Sequence, residues 1–426
     1  MRYITNRFIH YQTNNMELTE TITRANEFIE LEDLYGAHNY HPIPVVLKKG
    51  RGVYLWDVDD KIYFDFLSGY SALNQGHCHP RIIKALIHQA QNLTLTSRAF
   101  HNNKLGEFEK FITQLFAYDK VLPMNTGAEA VETAIKLCRK WAYEVKGIAE
   151  GQAKIIMAEG NFHGRTTTII SGSSDPESKN GFGPYMPNII TIPYNNVSAL
   201  QEALRDNNIA GFLVEPLQGE AGVIIPDEGY LSKCFELCKN NNVLFIADEV
   251  QTGIGRTGKM LACDHENVRP DILVLGKALG GGVLPISAVL CDDEIMLTIK
   301  PGQHGSTFGG NPLACAVAME ALSIIKDERL VDHSSYLGEY LLQQLSDIKS
   351  KWIKQVRGKG LFTAIEIKSK NRKSAWNICI ALAENGLLAK PTHDFIIRLA
   401  PPLIITRAQI DECVEIIKNT IANYEE

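Results

Sequence analysis

An α/β fold is predicted for this 426-residue chain: a mostly parallel, doubly wound sheet, with a smaller α+β unit at the C-terminal end. Three features predict it. From about residue 120, short apolar runs alternate with amphipathic helical stretches, the pattern of βαβ units. Several of those runs are apolar on both faces, as strands buried between helix layers must be. After about residue 317 the alternation gives way to long helical patterns and then a few short strands. The length exceeds one ordinary core, and the texture divides the chain at 1–70, 71–317 and 318–426.

In chain order, "GVYLWDVDDKIYFDFL" reads as a β-meander that joins the C-terminal unit. "KVLPMNTGAEAVETAIKLCRKWAYEV" reads as strand, turn and helix. Thr126 with Glu129 three residues on forms a capping box, and Val131, Ala134, Ile135, Cys138 and Trp141 mark one apolar helix face. "AKIIMAEG", "NIITIPY", "IAGFLVEP" and "NVLFIADEV" read as strands. Between the last two, Leu231, Cys234, Phe235 and Cys238 stand at helical spacing. "ILVL" and "PISAVLCD" are two further runs of the buried parallel type. The C-terminal unit opens with "ALSIIKDERLVDHSSYLGEYLLQQLSDI" as helix. Strands "LFTAIEIK" and "FIIRLAPPLII" follow, and "RAQIDECVEIIKNTIANYEE" is a last helix.

Hydrophobic residues make up 45% and charged residues 22%, which fits a soluble globular protein. A net charge of −6 offers no basic footprint for nucleic acid. The nine cysteines are scattered, and Cys234 with Cys238 lacks the second pair a zinc site needs. His77, Cys78 and His79 are adjacent and point apart, so no metal is expected. A reducing compartment is expected, the cytoplasm first, with the mitochondrial matrix left open. "MRYITNRFIHYQTNN" holds two arginines and no acid, a faint transit-peptide pattern; a tail ahead of Met16 is the plainer reading.

From Ile272 to Leu290, nineteen residues carry one charge, Lys277. The length would span a bilayer, but Gly276, Gly280, Gly281, Gly282, Pro285 and a central lysine argue against it. Strand, Gly-rich turn, strand is the better parse. Such sheets bind ligands at the carboxyl ends of their strands, and three strands here end in a conspicuous polar residue or turn: Thr126-Gly127, Asp248 and Lys277. A helix start at Gly127 leaves backbone N–H groups open to an anion. Asp248 and Glu249 point to opposite faces of their strand, so one meets the cleft and the other packs elsewhere. A lysine walled by apolar residues has its pKa pushed down and becomes a nucleophile suited to Schiff bases. Taken alone, the helix start and the lysine read more simply as an ordinary cap and a snorkelling side chain, and Asp248 reads equally as a structural cap. Together, phosphate cradle, acid and lysine are the parts a pyridoxal-phosphate enzyme needs.

"FIADEVQTGIGRTGKMLACDHENVRPDILVLGKALGGG" resembles the signature of the class III, fold-type I aminotransferases. "LYGAHNYHPIPVVL", "SRAFHNN", "GNFHGRT", "VEPLQGEAGV", "HGSTFGGNPL" and "LLAKPTHDFIIRLAPPL" resemble the ornithine-using branch of that family, from about Glu30 to the C-terminus. The resemblance implies pyridoxal 5′-phosphate as cofactor, with L-ornithine as amino donor and 2-oxoglutarate as acceptor. It implies that Lys277 bonds the cofactor and shuttles the proton, and that Asp248 pairs with the pyridine nitrogen. Gly127 and Ala128 would hold the phosphate, Phe162 would stack on the ring, and Gln251 would bond its 3-oxygen. Ser306 and Thr307 belong to a loop that lends a hydroxyl to the phosphate of a neighbouring subunit, implying a homodimer. Arg165 would clamp the α-carboxylate of ornithine, with Tyr40 and Tyr70 lining that pocket. Glu220 and Arg398 would form a switchable pair. His163 stands where some relatives carry Trp, so its contact with the ring edge stays open.

Two rivals remain. Another class III ω-aminotransferase would use N-acetylornithine or 4-aminobutyrate, although Tyr40 and Tyr70-Ser71-Ala72 favour free ornithine. "GIGRTG" matches the dinucleotide pattern G-x-G-x-x-G of a nicotinamide dehydrogenase, but "KMLACDHENVRPD" is not the helix such a site demands.

Overall fold

The computed structural model describes residues 24–425; the expected leader pattern and the tail before Met16 lie outside the described residues. Three strands, β1 (Leu47–Arg51), β2 (Tyr54–Asp57) and β3 (Ile62–Asp65), form the expected meander. The central sheet contains β4 (Lys120–Met124), β5 (Lys154–Ala158), β6 (Ile189–Ile192), β7 (Ile209–Val214), β8 (Leu244–Asp248), β9 (Ile272–Leu275) and β10 (Ser287–Cys291). Its order is β4-β10-β9-β8-β7-β5-β6. The neighbouring strands from β9 through β8, β7 and β5 to β6 all pair in parallel. Every residue of β7, β8 and β9 is buried, which is why these runs carry no polar alternation.

One strand departs from expectation. "PISAVLCD" reads as another parallel strand, but β10 runs antiparallel to both β4 and β9. A parallel return needs a crossover of about a dozen or more residues, usually a helix. The glycine-rich turn 276–286 contains only the short 3-10 turn Lys277–Gly280, and the chain doubles straight back.

The helix Gly127–Trp141 covers the sheet with the face its spacing predicts: Val131, Ala134, Ile135, Cys138 and Trp141 are all buried. The larger aliphatic ones, Val131 and Ile135, contribute about 1.5–3 kcal/mol each on leaving water. Leu231, Cys234 and Cys238 are likewise buried on the helix Tyr230–Asn240.

Beyond the central sheet lie β11 (Ile353–Gly358), β12 (Thr363–Ile367), β13 (Leu387–Leu388), β14 (Lys390–Thr392) and β15 (Ile396–Leu399). The sheet β11-β12-β15-β14 is antiparallel, while β13 leaves it to pair in parallel with β3. The meander is thereby stitched to the C-terminal part of the chain. The expected division at 317/318 falls inside one helix, Pro312–Asp327. Among the described residues all nine cysteines are free thiols, eight of them buried, and no helix is long and apolar enough to cross a membrane.

Candidate active site

Parallel strands bring their carboxyl ends to one edge, and the chemistry collects there. Asp248 ends β8, Lys277 follows β9 by two residues, Glu215 follows β7 by one, and the loop after β5 carries Phe162 and His163. Together with Gly127, Ala128, Val250, Gln251 and Thr252 they line a cleft of about 180 Å³. An adjoining cavity of about 310 Å³ shares Phe162, His163 and Gly164 and adds Glu220.

Lys277 adopts φ +43°, a left-handed conformation unusual for a side-chain-bearing residue. Such strain concentrates at functional sites, where the surrounding structure holds it in place; here Gly276 precedes it and Gly281 and Gly282 also turn left-handed. Burial pushes the Lys277 amine below its ordinary pKa, and the carboxylates of Glu220 and Asp248 pull it partly back. The amine therefore loses its proton more readily than a surface lysine.

Asp248 is fixed on both oxygens. His163 Nδ1 lies 2.7 Å from Oδ2, and Val250 N–H donates to Oδ1 at 3.1 Å. His163 Nε2 is buried among the described residues without a partner. Glu249 points the other way, as strand alternation requires: it accepts hydrogen bonds from Thr252 Oγ1 and Cys263 N–H. Burial raises its carboxyl pKa to about 7.

The helix start is capped as expected. Thr126 Oγ1 accepts from Glu129 N–H, and the Glu129 carboxylate accepts from the N–H groups of Asn125 and Thr126. The amides of Gly127 and Ala128 begin a helix, where no intrahelical acceptor exists for them. A Cβ on Gly127 would come within 3.0 Å of Val250 Cγ1, so the wall has room for backbone alone.

Arg398 is 2% exposed and ion-pairs with Glu220 at 2.5 Å; its Nε and second terminal nitrogen are buried without partners. Burial pushes the Glu220 carboxyl upward, but Arg398 and Lys277 outweigh it and hold its pKa below the usual range. The Arg398 guanidinium stands 5.5 Å from the Tyr70 ring centroid. Tyr70 itself is left-handed, and its carbonyl accepts from Gln251 Nε2 at 3.3 Å.

Other expected residues lie further out. Tyr40 is exposed and shares a cavity with Tyr70, Trp376 and Lys390. Arg165 is exposed, its guanidinium 5.6 Å from the Phe162 ring centroid. Ser306 Oγ accepts from Asn125 Nδ2 at 2.8 Å, and Thr307 is exposed; neither lines the cleft of its own chain.

Sequence reasoning missed Glu215. It lines the cleft and accepts from Phe162 N–H at 3.2 Å. Burial, then the charge of Asp248, raises its pKa well above the carboxylate range. Its signal was available: it is a polar residue directly after a buried parallel strand, as Asp248 ends one.

A left-handed lysine of lowered basicity, a doubly held carboxylate and free helix-start amides form a donor set that fits pyridoxal phosphate. Comparison with known proteins agrees: residues 35–421 match the family model described as "Aminotransferase class-III". The chain belongs to the class-III aminotransferases, which are pyridoxal-phosphate enzymes.

Within that family, the chain is 59% identical to the mitochondrial ornithine aminotransferase of Rattus norvegicus, over 95% of this chain and 93% of the relative. It is similar to the crystal structure of the ornithine aminotransferase from Toxoplasma gondii ME49 (TM-score 0.92, 48% identity, 94% of this chain and 96% of that one). It is also similar to the structure of the acetylornithine aminotransferase from Elizabethkingia anophelis (TM-score 0.87, 58% identity, 94% and 99%).

Proposed function

We propose that the chain is an ornithine δ-aminotransferase working by ping-pong. The δ-amino group of L-ornithine passes in two half-reactions to 2-oxoglutarate. The products are glutamate and glutamate 5-semialdehyde, which cyclises to pyrroline-5-carboxylate. The observation that carries this reading is the Glu220–Arg398 pair, buried beside the Lys277 cleft and able to serve two differently charged substrates.

When bound, pyridoxal phosphate supplies an aldehyde carbon that takes up the amine and a ring that accepts the electron pair released at the amine carbon. Lys277 anchors the cofactor between turnovers and, as a free amine, moves the proton at the substrate's reacting carbon. Asp248, held by His163 and Val250, keeps a fixed carboxylate for the pyridine nitrogen. The amides of Gly127 and Ala128 take the phosphate, and Phe162 and Gln251 orient the ring.

Arg165, Tyr40 and Tyr70 hold the α-carboxylate and α-amine of ornithine away from the reacting carbon; a guanidinium suits this because it meets a carboxylate through two hydrogen bonds. In that half-reaction Glu220 neutralises Arg398. In the second, 2-oxoglutarate displaces Glu220, and Arg398 receives its α-carboxylate on the guanidinium nitrogens now unpartnered.

The chain works as a homodimer in which Ser306 and Thr307 reach the neighbouring phosphate. Exposed Phe100 and Phe308 support such an interface. Domains are proposed at 1–70, 71–317 and 318–426, with the continuous helix Pro312–Asp327 crossing the second boundary. The free cysteines support a reducing compartment, with the cytoplasm the first choice.

A second reading, N-acetylornithine as donor, is favoured by the 58% identity to the Elizabethkingia anophelis enzyme. Specificity constants for ornithine, N-acetylornithine and 4-aminobutyrate, each with 2-oxoglutarate, separate the readings. Glutamate, the product common to all three donors, is the quantity followed, so the three rates are read on one scale. Ornithine is expected to have the highest constant; a higher value for N-acetylornithine would move the assignment to the second reading.

A further inference from the structure

The dinucleotide-like segment "GIGRTG" finds no use in the site described above, and the turn Ala262–Glu266 rather than a helix of any length follows it. Its arginine is nevertheless unusual. Arg256 is fully buried and, with Arg398, is among the largest fully buried side chains of the described residues. Among the described residues no carboxylate pairs with it: its partners are the carbonyls of Leu361 (2.8 Å) and Pro401 (2.6 Å) and Asn74 Oδ1 (2.5 Å), and its Nε is buried without one. Burial lowers its pKa to about 9, with Asp65 pulling the other way, so the guanidinium keeps its charge at neutral pH.

A buried charge is costly unless hydrogen-bonded, and with Nε unpartnered the three acceptors that Arg256 does have matter beyond packing; each leads to the site. Asn74 lies four residues after Tyr70, and its Nδ2 donates to Ile254 O. Pro401 lies three residues after Arg398. Asn74 O also accepts from Leu403 N–H at 2.8 Å. Leu361 precedes Phe362, whose ring would contact a Cβ on Gly219, next to Glu220, at 3.0 Å. Arg256 itself follows Gln251 by five residues. The Leu361 carbonyl is held in turn, because Leu361 N–H donates to Ser334 Oγ, which donates to Arg256 O.

The glycines around Arg256 serve this junction. A Cβ on Gly258 would meet Ser335 Cα at 2.9 Å, and one on Gly360 would meet the Thr257 carbonyl carbon at 2.3 Å. The pattern that mimics a nucleotide loop is thus a close-packed joint between chain segments.

We infer that Arg256 is a positioning residue for the acceptor half-reaction: it holds the strand bearing Arg398 in fixed register against the loop bearing Tyr70. The inference rests on the reading of Arg398 as the dock for the 2-oxo acid. In the donor half-reaction Glu220 already occupies Arg398, so small displacements of that strand matter little. In the acceptor half-reaction a free substrate must meet the guanidinium at the right depth and angle, and displacement weakens it directly.

The test uses Asn74→Ala, which removes one acceptor of Arg256, and Arg256→Met, which removes the charge and keeps much of the bulk. Both half-reactions are followed on the cofactor-loaded enzyme by its own absorbance: ornithine with the aldehyde form, 2-oxoglutarate with the aminated form. Losing a hydrogen bond to a charged group predicts a rise of about tenfold in the half-saturating 2-oxoglutarate concentration for Asn74→Ala. The ornithine half-reaction should change by a clearly smaller factor in the same protein, because only the Tyr70 end of the joint touches the donor.

A defect shared equally by both halves in Asn74→Ala, or an unchanged acceptor half, overturns the inference. If Arg256→Met fails to fold, Asn74→Ala alone decides. Glutamate can load the aminated form whatever the physiological donor, so a wild-type enzyme inert to ornithine would sink the ornithine reading while leaving the acceptor test readable.

Discussion

Glu220→Ala probes the proposed switch. Arg398 is 2% exposed, and among the described residues its one carboxylate contact is Glu220 at 2.5 Å. Removing Glu220 leaves a buried guanidinium with Nε and both terminal nitrogens lacking a carboxylate, so any substrate carboxylate that reaches it binds more tightly. A hydrogen bond between charged groups contributes about 1.5–3 kcal/mol net, and every 1.4 kcal/mol is tenfold in affinity. Glutamate and 2-oxoglutarate no longer have to displace Glu220, so their specificity constants should rise by about 10- to 100-fold. Ornithine should lose efficiency, because its α-carboxylate is drawn to Arg398 and presents the wrong amine. The assay is the ratio of kcat/KM for ornithine to that for glutamate, measured in single half-reactions. A ratio unchanged within about twofold would refute the switch and return Glu220–Arg398 to a plain structural ion pair.

Two further predictions use independent readouts. Tyr40→Ile should lower kcat/KM for ornithine relative to 4-aminobutyrate, which has no α-amine to bind; an unchanged ratio removes Tyr40 from the donor pocket. Glu249 gives a pH signature in stability. Its folded pKa, about 7, lies above the ordinary carboxyl value of 4.5, so the folded state binds the extra proton between those values. By linkage its contribution is fully present below pH 4.5 and declines as pH rises toward 7. Glu249→Gln should therefore flatten the fall of the cofactor-free enzyme's Tm between pH 5 and 7, read by calorimetry; an unaltered slope would contradict it.

Much of the site was legible because its residues obey local rules. Asp248 and Lys277 are polar groups at the carboxyl ends of runs buried on both faces, and the Thr126–Glu129 box announces the helix whose first amides face the cleft. The division of labour between Asp248 and Glu249 follows from strand alternation alone. Other features depend on tertiary context. The direction of β10 is set by the brevity of the turn before it, a length argument that its apolar run does not carry. The place of Glu215 after a buried run is local, as for Asp248, but the depth of its burial depends on β7 lying beside β8. His163 is a loop residue whose meeting with Asp248, eighty-five positions away, no local spacing encodes. Arg256 stands in a motif made conspicuous by its glycines, whereas its three acceptors, the carbonyls of Leu361 and Pro401 and Asn74 Oδ1, come from distant parts of the chain.

The most direct test of the whole account is chemical. Purified protein incubated with pyridoxal phosphate should turn yellow, lose that band on reduction with borohydride, and yield on digestion a single peptide carrying the reduced cofactor on Lys277. A colourless protein, or a label spread over surface lysines with Lys277 unmodified, would contradict it.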